Sequence, residues 1–144
     1  MNRLCLLIAI LGFITSPASS SDSCSTPPAA QTSATATHES PLACDRLALS
    51  ATERKRHFDE LGPMLIRLKT GVHELANGYE LEFPSDAKTF ALVAEWVEQE
   101  RRCCPFFDID VRINREGGPL SLRLTGRKGT KEFIEADGKD WIRK

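Results

Sequence analysis

Apolar residues along the middle of the chain recur at two intervals, and the interval switches at recognisable breaks. Phe58, Leu61, Leu65, Leu68, Val72 and Leu75 are three or four positions apart, the spacing that lays one apolar stripe along a helix. Ser50 and Glu53 precede them with capping-box spacing, so that a hydroxyl and a carboxylate each satisfy a free N–H at the helix start. The pattern predicts a helix of about seven turns. Gly62 and Pro63 interrupt it, which predicts a kink or two shorter helices, because proline lacks the N–H and crowds the preceding turn. Asn77 and Gly78, which tolerate the left-handed conformation, close the pattern.

Beyond this point the interval falls to two. Tyr79, Leu81 and Phe83 alternate with Glu80 and Glu82 and stop at Pro84, a half-buried strand. Ser85 or Asp86 then caps a second helix carrying Phe90, Val93, Trp96 and Val97. Pro105 ends it, since the residue before a proline is pushed out of the helical region. Phe107, Ile109, Val111 and Ile113 alternate with charged residues, "REGGP" turns the chain, and Leu120, Leu122 and Leu124 form a further strand. These two strands predict an antiparallel hairpin. Thr130 caps a last short helix with Phe133 and Ile134 inward, Gly138 ends it, and Trp141 and Ile142 pack back on the core. The expectation is an α+β domain of order α-β-α-β-β-α, with a three-stranded, mainly antiparallel sheet covered on one face by helices.

Composition narrows the folded part. Residues 1–20 combine a basic Arg3 with an apolar run from Leu4 to Ile14 and then small residues, the signature of a secretory signal rather than a membrane span. Residues 21–43 are rich in Ser, Thr, Pro and Ala, carry a lone His38, and cannot bury enough surface to offset their ordering entropy, so they read as a disordered tether. Residues 44–144 are left as a single domain. The location implied is periplasmic or extracellular, and lipidation at Cys24 would be the one membrane connection, although Ser21, Asp22 and Ser23 lack the aliphatic residue such a signal carries. From Ser50 onward 17 Lys plus Arg balance 17 Asp plus Glu, so no electrostatic footprint for nucleic acid exists. An unidentified protein partner stays open.

Removal of residues 1–20 takes Cys5 away and leaves Cys24, Cys44, Cys103 and Cys104. Four cysteines in an exported chain suggest disulfides, with three pairings to choose from. A bridge from Cys44 to either member of the adjacent pair closes a loop of about 60 residues, worth roughly 3 to 4 kcal/mol on chain-entropy grounds. At 100° per residue, Trp96, Val97, Glu100, Cys103 and Cys104 share about 120° of arc with Val93. Glu100 therefore falls inside the apolar stripe and needs an arginine (Arg67, Arg101 or Arg123), a metal ion or a proton.

The helix C-terminus opposes a thiolate and favours a bound cation, and Pro105 frees Cys104 from the helix so that both sulfurs can meet one ion. Neighbouring Arg101 and Arg102 would lower a thiol pKa, but a nucleophilic cysteine also wants a base. His57 lies at the edge of the first stripe and His73 outside it, which predicts half-exposed or surface positions for both. The metal set read from this spacing is Cys103, Cys104 and Glu100, with Cys44 as a fourth ligand, suited to zinc, copper(I) or a heavier thiophilic ion. A strained vicinal disulfide between Cys103 and Cys104 is another outcome.

The runs "ERRCCPFFDIDV" and "LRLTGRKGTKEFI" resemble a small bacterial family that carries Glu-x-x-Cys-Cys-Pro-Phe at a helix end and a Leu-Arg-Leu-Thr-Gly strand. The likeness runs over roughly residues 44 to 136 through short motifs. It implies a unit containing Glu100, Cys103, Cys104, Pro105 and Phe106, and it brings no activity with it.

One more loop bears on function. Gly126, Arg127, Lys128, Gly129 and Thr130 join a strand to a helix start, where backbone N–H groups can hold an anion, although the spacing is not that of a P-loop. The plainer reading is a basic turn that needs its glycines. Taken together, the sequence points to an exported small domain that binds a soft metal ion or metalloid through a vicinal cysteine pair, and to a binding protein rather than an enzyme. A disulfide-stabilised structural or partner-binding domain without metal, and a thiol-redox protein using Cys103 and Cys104, are the alternatives.

Overall fold

Ser50 starts the first helical run as its spacing requires: its hydroxyl accepts from the Glu53 N–H, and the Glu53 carboxylate accepts from the Ser50 N–H at 2.8 Å. In this computed structural model, which describes residues 39–143, a 3₁₀ turn at Arg46–Ala48 precedes that cap. Residues 1–20, Cys24, His38 and most of the expected tether lie outside the described residues. Glu39 to Ala43, expected to belong to the tether, are engaged by the domain: Arg127 donates to the Ser40 carbonyl, and Leu42 packs among the cysteines.

The first helical run has three parts, α1 (Ala51–Arg54), a π-helical stretch (Lys55–Leu61) and α2 (Gly62–Leu68). The Gly62 N–H bonds the His57 carbonyl, five residues back. Widening the helix there accommodates Pro63, which has no N–H to give, without a break in the run. The expected division at Gly62 and Pro63 thus takes the form of a π segment.

The sheet has four strands, not three. The run ends at Leu68, and β1 (Gly71–Leu75) pairs antiparallel with β2 (Gly78–Phe83), with Val72 opposite Leu81 and Leu75 opposite Gly78. Val72 and Leu75 continue the helical spacing by coincidence. Gly71 and the short turn at Ala76 and Asn77 instead let the segment add a strand to the edge of the sheet, where Val72 still reaches the core. The remaining elements follow the expected order as α3 (Ala87–Cys103), β3 (Phe107–Ile113), β4 (Leu120–Gly126), α4 (Thr130–Asp137) and α5 (Lys139–Ile142). Strand order is β1-β2-β4-β3, every neighbouring pair antiparallel. The α3 connection therefore carries the chain from β2 past the place of β4 to the far edge.

The pleat sorts side chains by parity. Tyr79, Leu81, Phe83, Leu120, Leu122 and Leu124 face the helices and pack with Leu61, Leu65, Val93, Trp96 and Ile134 in one cluster, each large side chain worth about 1.5–3 kcal/mol when fully buried. On the other face Arg123 lies between Glu80 and Asp110 and pairs with Glu80 at 3.2 Å. Trp141 and Ile142 pack against the core as expected, held by Lys69, whose ammonium donates to the Trp141 carbonyl and, at 2.8 Å, to that of Arg143. Among the described residues no helix is long and apolar enough to cross a membrane.

Candidate functional site

At the C-terminus of α3, Pro105 forces Cys104 off the helical path, to φ −123° and ψ 69°. The last turn is finished from elsewhere in the chain: the Asp45 N–H bonds the Cys103 carbonyl at 2.7 Å, satisfying one of the acceptors a helix end leaves open. That bond draws the segment before α1 against the end of α3, and Cys44 comes with it. Cys44 and Cys104 form a disulfide, with Cα atoms 4.5 Å apart, and Cys103 is free and fully buried. The three sulfur atoms lie within 4.8 Å of one another. Around them a second, smaller cluster is built from Leu49 and Phe106, with Leu42, Phe58, Phe107 and Phe133 packed on its edge.

The adjacent cysteines do different work. Cys104 takes the bridge because it has left the helix, whereas Cys103 keeps helical geometry and its side chain points into the cluster. Burial, and after it the Glu100 carboxylate, push the Cys103 thiol up to about 11, although Arg46 works in the other direction. A rapidly reacting thiol needs the opposite shift. The thiol-redox alternative therefore draws no support from Cys103.

Glu100 is buried in the stripe, as the helical arithmetic requires, but its partner is none of the expected arginines. Arg101 pairs with Glu98 and Arg123 with Glu80, while the Glu100 Oε2 lies 2.8 Å from His57 Nε2. His57, expected at a half-exposed edge, is 2% exposed. It stacks on Trp96 at 5.4 Å between centroids and meets Phe58 edge-on at 4.6 Å. The π-helical stretch explains the difference: a wider turn rotates the residues it contains away from the positions that 100° steps assign. With Nε2 committed to Glu100, His57 Nδ1 is buried without a hydrogen-bond partner. The carboxylate thus stands beside the sulfur trio and outside it.

A cleft of about 740 Å³ opens against this group. Its wall includes Phe58, Trp96, Phe133, Trp141 and His57, and of the three cysteines it includes Cys44 alone. Cys103 and Cys104 are buried behind it and do not line the cleft.

The glycine-rich loop is used for packing. A Cβ on Gly126 would stand 2.8 Å from the Phe106 carbonyl and 2.7 Å from Thr130 Oγ1, and Gly129 has φ +97° and abuts Leu42. Arg127 bonds the Ser40 carbonyl and pairs with Glu39 at 3.4 Å. Thr130 is fully buried as the first residue of α4, and Gly129, not Thr130, is the cap. Lys128 completes this turn, which fastens residues 39–42 to the domain.

The spacing pointed to the proximity of Cys44 to the cysteine pair and to the burial of Glu100, expected as a ligand but held here by His57, and gave no sign of the aromatic cleft or the Arg127 clamp. The signal for His57 was present in Gly62-Pro63, which marks where the regular repeat fails. No protein-family model matches the chain, and no curated protein and no solved structure matches it.

Proposed function

We propose that the domain captures a thiophilic metal ion or metalloid through Cys44, Cys103 and Cys104 once the Cys44–Cys104 bridge is reduced. The observation that carries this reading is the convergence of three sulfur atoms within 4.8 Å. Thiolates that share one zinc-sized ion at about 2.3 Å stand roughly 3.8 Å apart, so a small adjustment of side chains brings the trio to ligand distance. Three soft donors suit copper(I), zinc or a trivalent metalloid, and exclude magnesium and calcium on chemical grounds. The C-terminal end of α3 and the buried Glu100 both supply negative potential where a cation would sit. They raise the cost of a bare thiolate at Cys103 and lower that of a metal-bound one, since bound metal replaces the thiol proton. Glu100 serves here as a neighbouring charge and as the anchor of His57. Export to an oxidising compartment, as the N-terminal pattern suggests, would keep the bridge closed until a reductant supplies the two electrons that open it.

Native mass spectrometry of the full chain tests this reading. After reduction by a phosphine, which offers no competing thiol, one arsenite or one zinc ion per chain is expected to be retained, with protons lost in proportion to the sulfurs engaged. Each of Cys44→Ser, Cys103→Ser and Cys104→Ser should weaken retention at least tenfold. A reduced, folded protein that retains neither ion refutes the proposal.

The closed Cys44–Cys104 bond favours a second reading, a disulfide-stabilised domain with no metal. It predicts a large stability loss on reduction and no ion retained afterwards.

A further inference from the structure

We propose that the ligand of this site carries an organic group, so that the protein takes a mono-substituted soft element, of the aryl- or alkyl-arsenous class, with its carbon part in the aromatic cleft. The inference rests on the sulfur-capture reading above and names the ligand class for it. A bare ion needs a space of about one water molecule. The cleft beside the sulfurs holds about 740 Å³, within the range of roughly 300–1,000 Å³ typical of small-molecule sites. Aromatic rings make up part of its wall: Trp96 is 3% exposed, its ring 4.8 Å from that of Trp141, and Phe58 and Phe133 also line the space, alongside the charged side chains of Arg46, Glu100, Asp137 and Asp140.

The cleft meets the sulfur trio at Cys44, the one cysteine on its wall. A ligand seated among the rings therefore presents its reactive end to Cys44 first and to Cys104 behind it. His57 supplies the second, independent observation. Its Nδ1 is a buried nitrogen without a partner on a residue of the cleft wall, and an unpaired buried polar atom is costly unless something joins it. A hydroxyl of the incoming arsenous acid is such a partner in the encounter complex, before the exchange with sulfur removes it as water.

The chemistry balances without change of oxidation state at the ligand. Reduction of the bridge by a phosphine and water yields the two thiols and the phosphine oxide. An organo-arsenous acid with two hydroxyls then exchanges both for the Cys44 and Cys104 sulfurs. Two As–O bonds break, two As–S bonds form, and the thiol protons leave in two waters. The organic group occupies the third position, so Cys103 is needed by inorganic arsenite and not by the organic form.

The experiment uses phosphine-reduced full chain, titrated with arsenite, methylarsenous acid and phenylarsenous acid in competition with a small dithiol, which cancels the intrinsic strength of the As–S bonds. Quenching of Trp96 and Trp141, the two tryptophans of the chain, reports occupation of the cleft. Phenyl is expected to bind about tenfold tighter than methyl, which corresponds to about 1.4 kcal/mol. Trp141→Ala should weaken the phenyl compound several-fold more than the methyl one and bring the two near parity, and Cys103→Ser should weaken arsenite at least tenfold and the phenyl compound less than threefold. Equal phenyl and methyl affinities in the unmodified chain, with arsenite bound, overturn the cleft inference alone. Failure of all three compounds to bind overturns the sulfur-capture reading itself.

Discussion

Leu81, Phe83, Val93, Leu120 and Leu122 fill the space between sheet and helices with apolar atoms alone, whereas the cluster at the end of α3 mixes apolar rings with a disulfide and a free thiol. Beside the second cluster lies a buried imidazole–carboxylate pair, with one ring nitrogen unpaired. The first arrangement is what a stable core requires, since every buried group there is content with its neighbours. The second gains stability from its disulfide, but the imidazole–carboxylate pair beside it is expensive to bury and gains little over plain apolar packing. On the metal-capture reading proposed above, the contrast assigns binding to the end of α3 and stability to the middle of the sheet.

The sharpest way to test that division is to damage each cluster in turn. Phe83→Ala removes a fully buried ring from the first cluster and should lower unfolding free energy by about 3–5 kcal/mol, read from the midpoint of a denaturant titration. Cys44→Ser or Cys104→Ser opens a bridge of sequence separation 60. The expected loss is about 4 kcal/mol on chain-entropy grounds. A reductant should produce the same loss in the unmodified chain and none in either variant.

Glu100→Ala should cost less, about 1–3 kcal/mol, because it strands the buried His57 Nε2–H without an acceptor. Glu100→Gln keeps an acceptor and should recover most of that loss. Both substitutions should also lower the Cys103 thiol from about 11, since the carboxylate ranks next to burial among the causes of its elevation. The pH dependence has a definite sign. A thiol raised from its ordinary 9 to about 11 on folding stabilises the fold fully below pH 9 and loses that contribution as pH climbs toward 11. Thermal midpoints of the unmodified chain and of Cys103→Ala should therefore run parallel below pH 9 and converge above it.

Much of the fold was legible because binary pattern and breakers agree. The strands at Tyr79 to Phe83 and Phe107 to Ile113, the Pro105 stop and the Asp86 cap all appear where the pattern puts them, although Val111 and Ile113 at the end of the edge strand stay exposed. β1 was not legible, because Val72 and Leu75 fit the helical repeat while the strand they form is held by pairing to β2, a tertiary bond that local spacing does not encode. His57 was misplaced for a related reason: the angular arithmetic assumes a uniform helix, and the stretch that holds it is a π-helix. The cleft is a product of α4 and α5 packing back across the first helical run, so no short stretch of sequence carries it.

The smallest expected effect lies on the outer face of the sheet, opposite the side that carries the first cluster. Arg123 sits across from Glu80 and Asp110 on neighbouring strands, and its side chain is 44% exposed. An exposed ion pair gains little Coulomb energy in water and gives part of it back in side-chain entropy. Arg123→Ala should therefore cost less than about 1 kcal/mol, with most of the difference gone at high salt. Arsenite retention by the reduced protein should be unchanged. A larger loss, or one that persists in salt, would mean that the charged face is covered by a partner, and the division between a structural sheet and a functional helix end would have to be redrawn there.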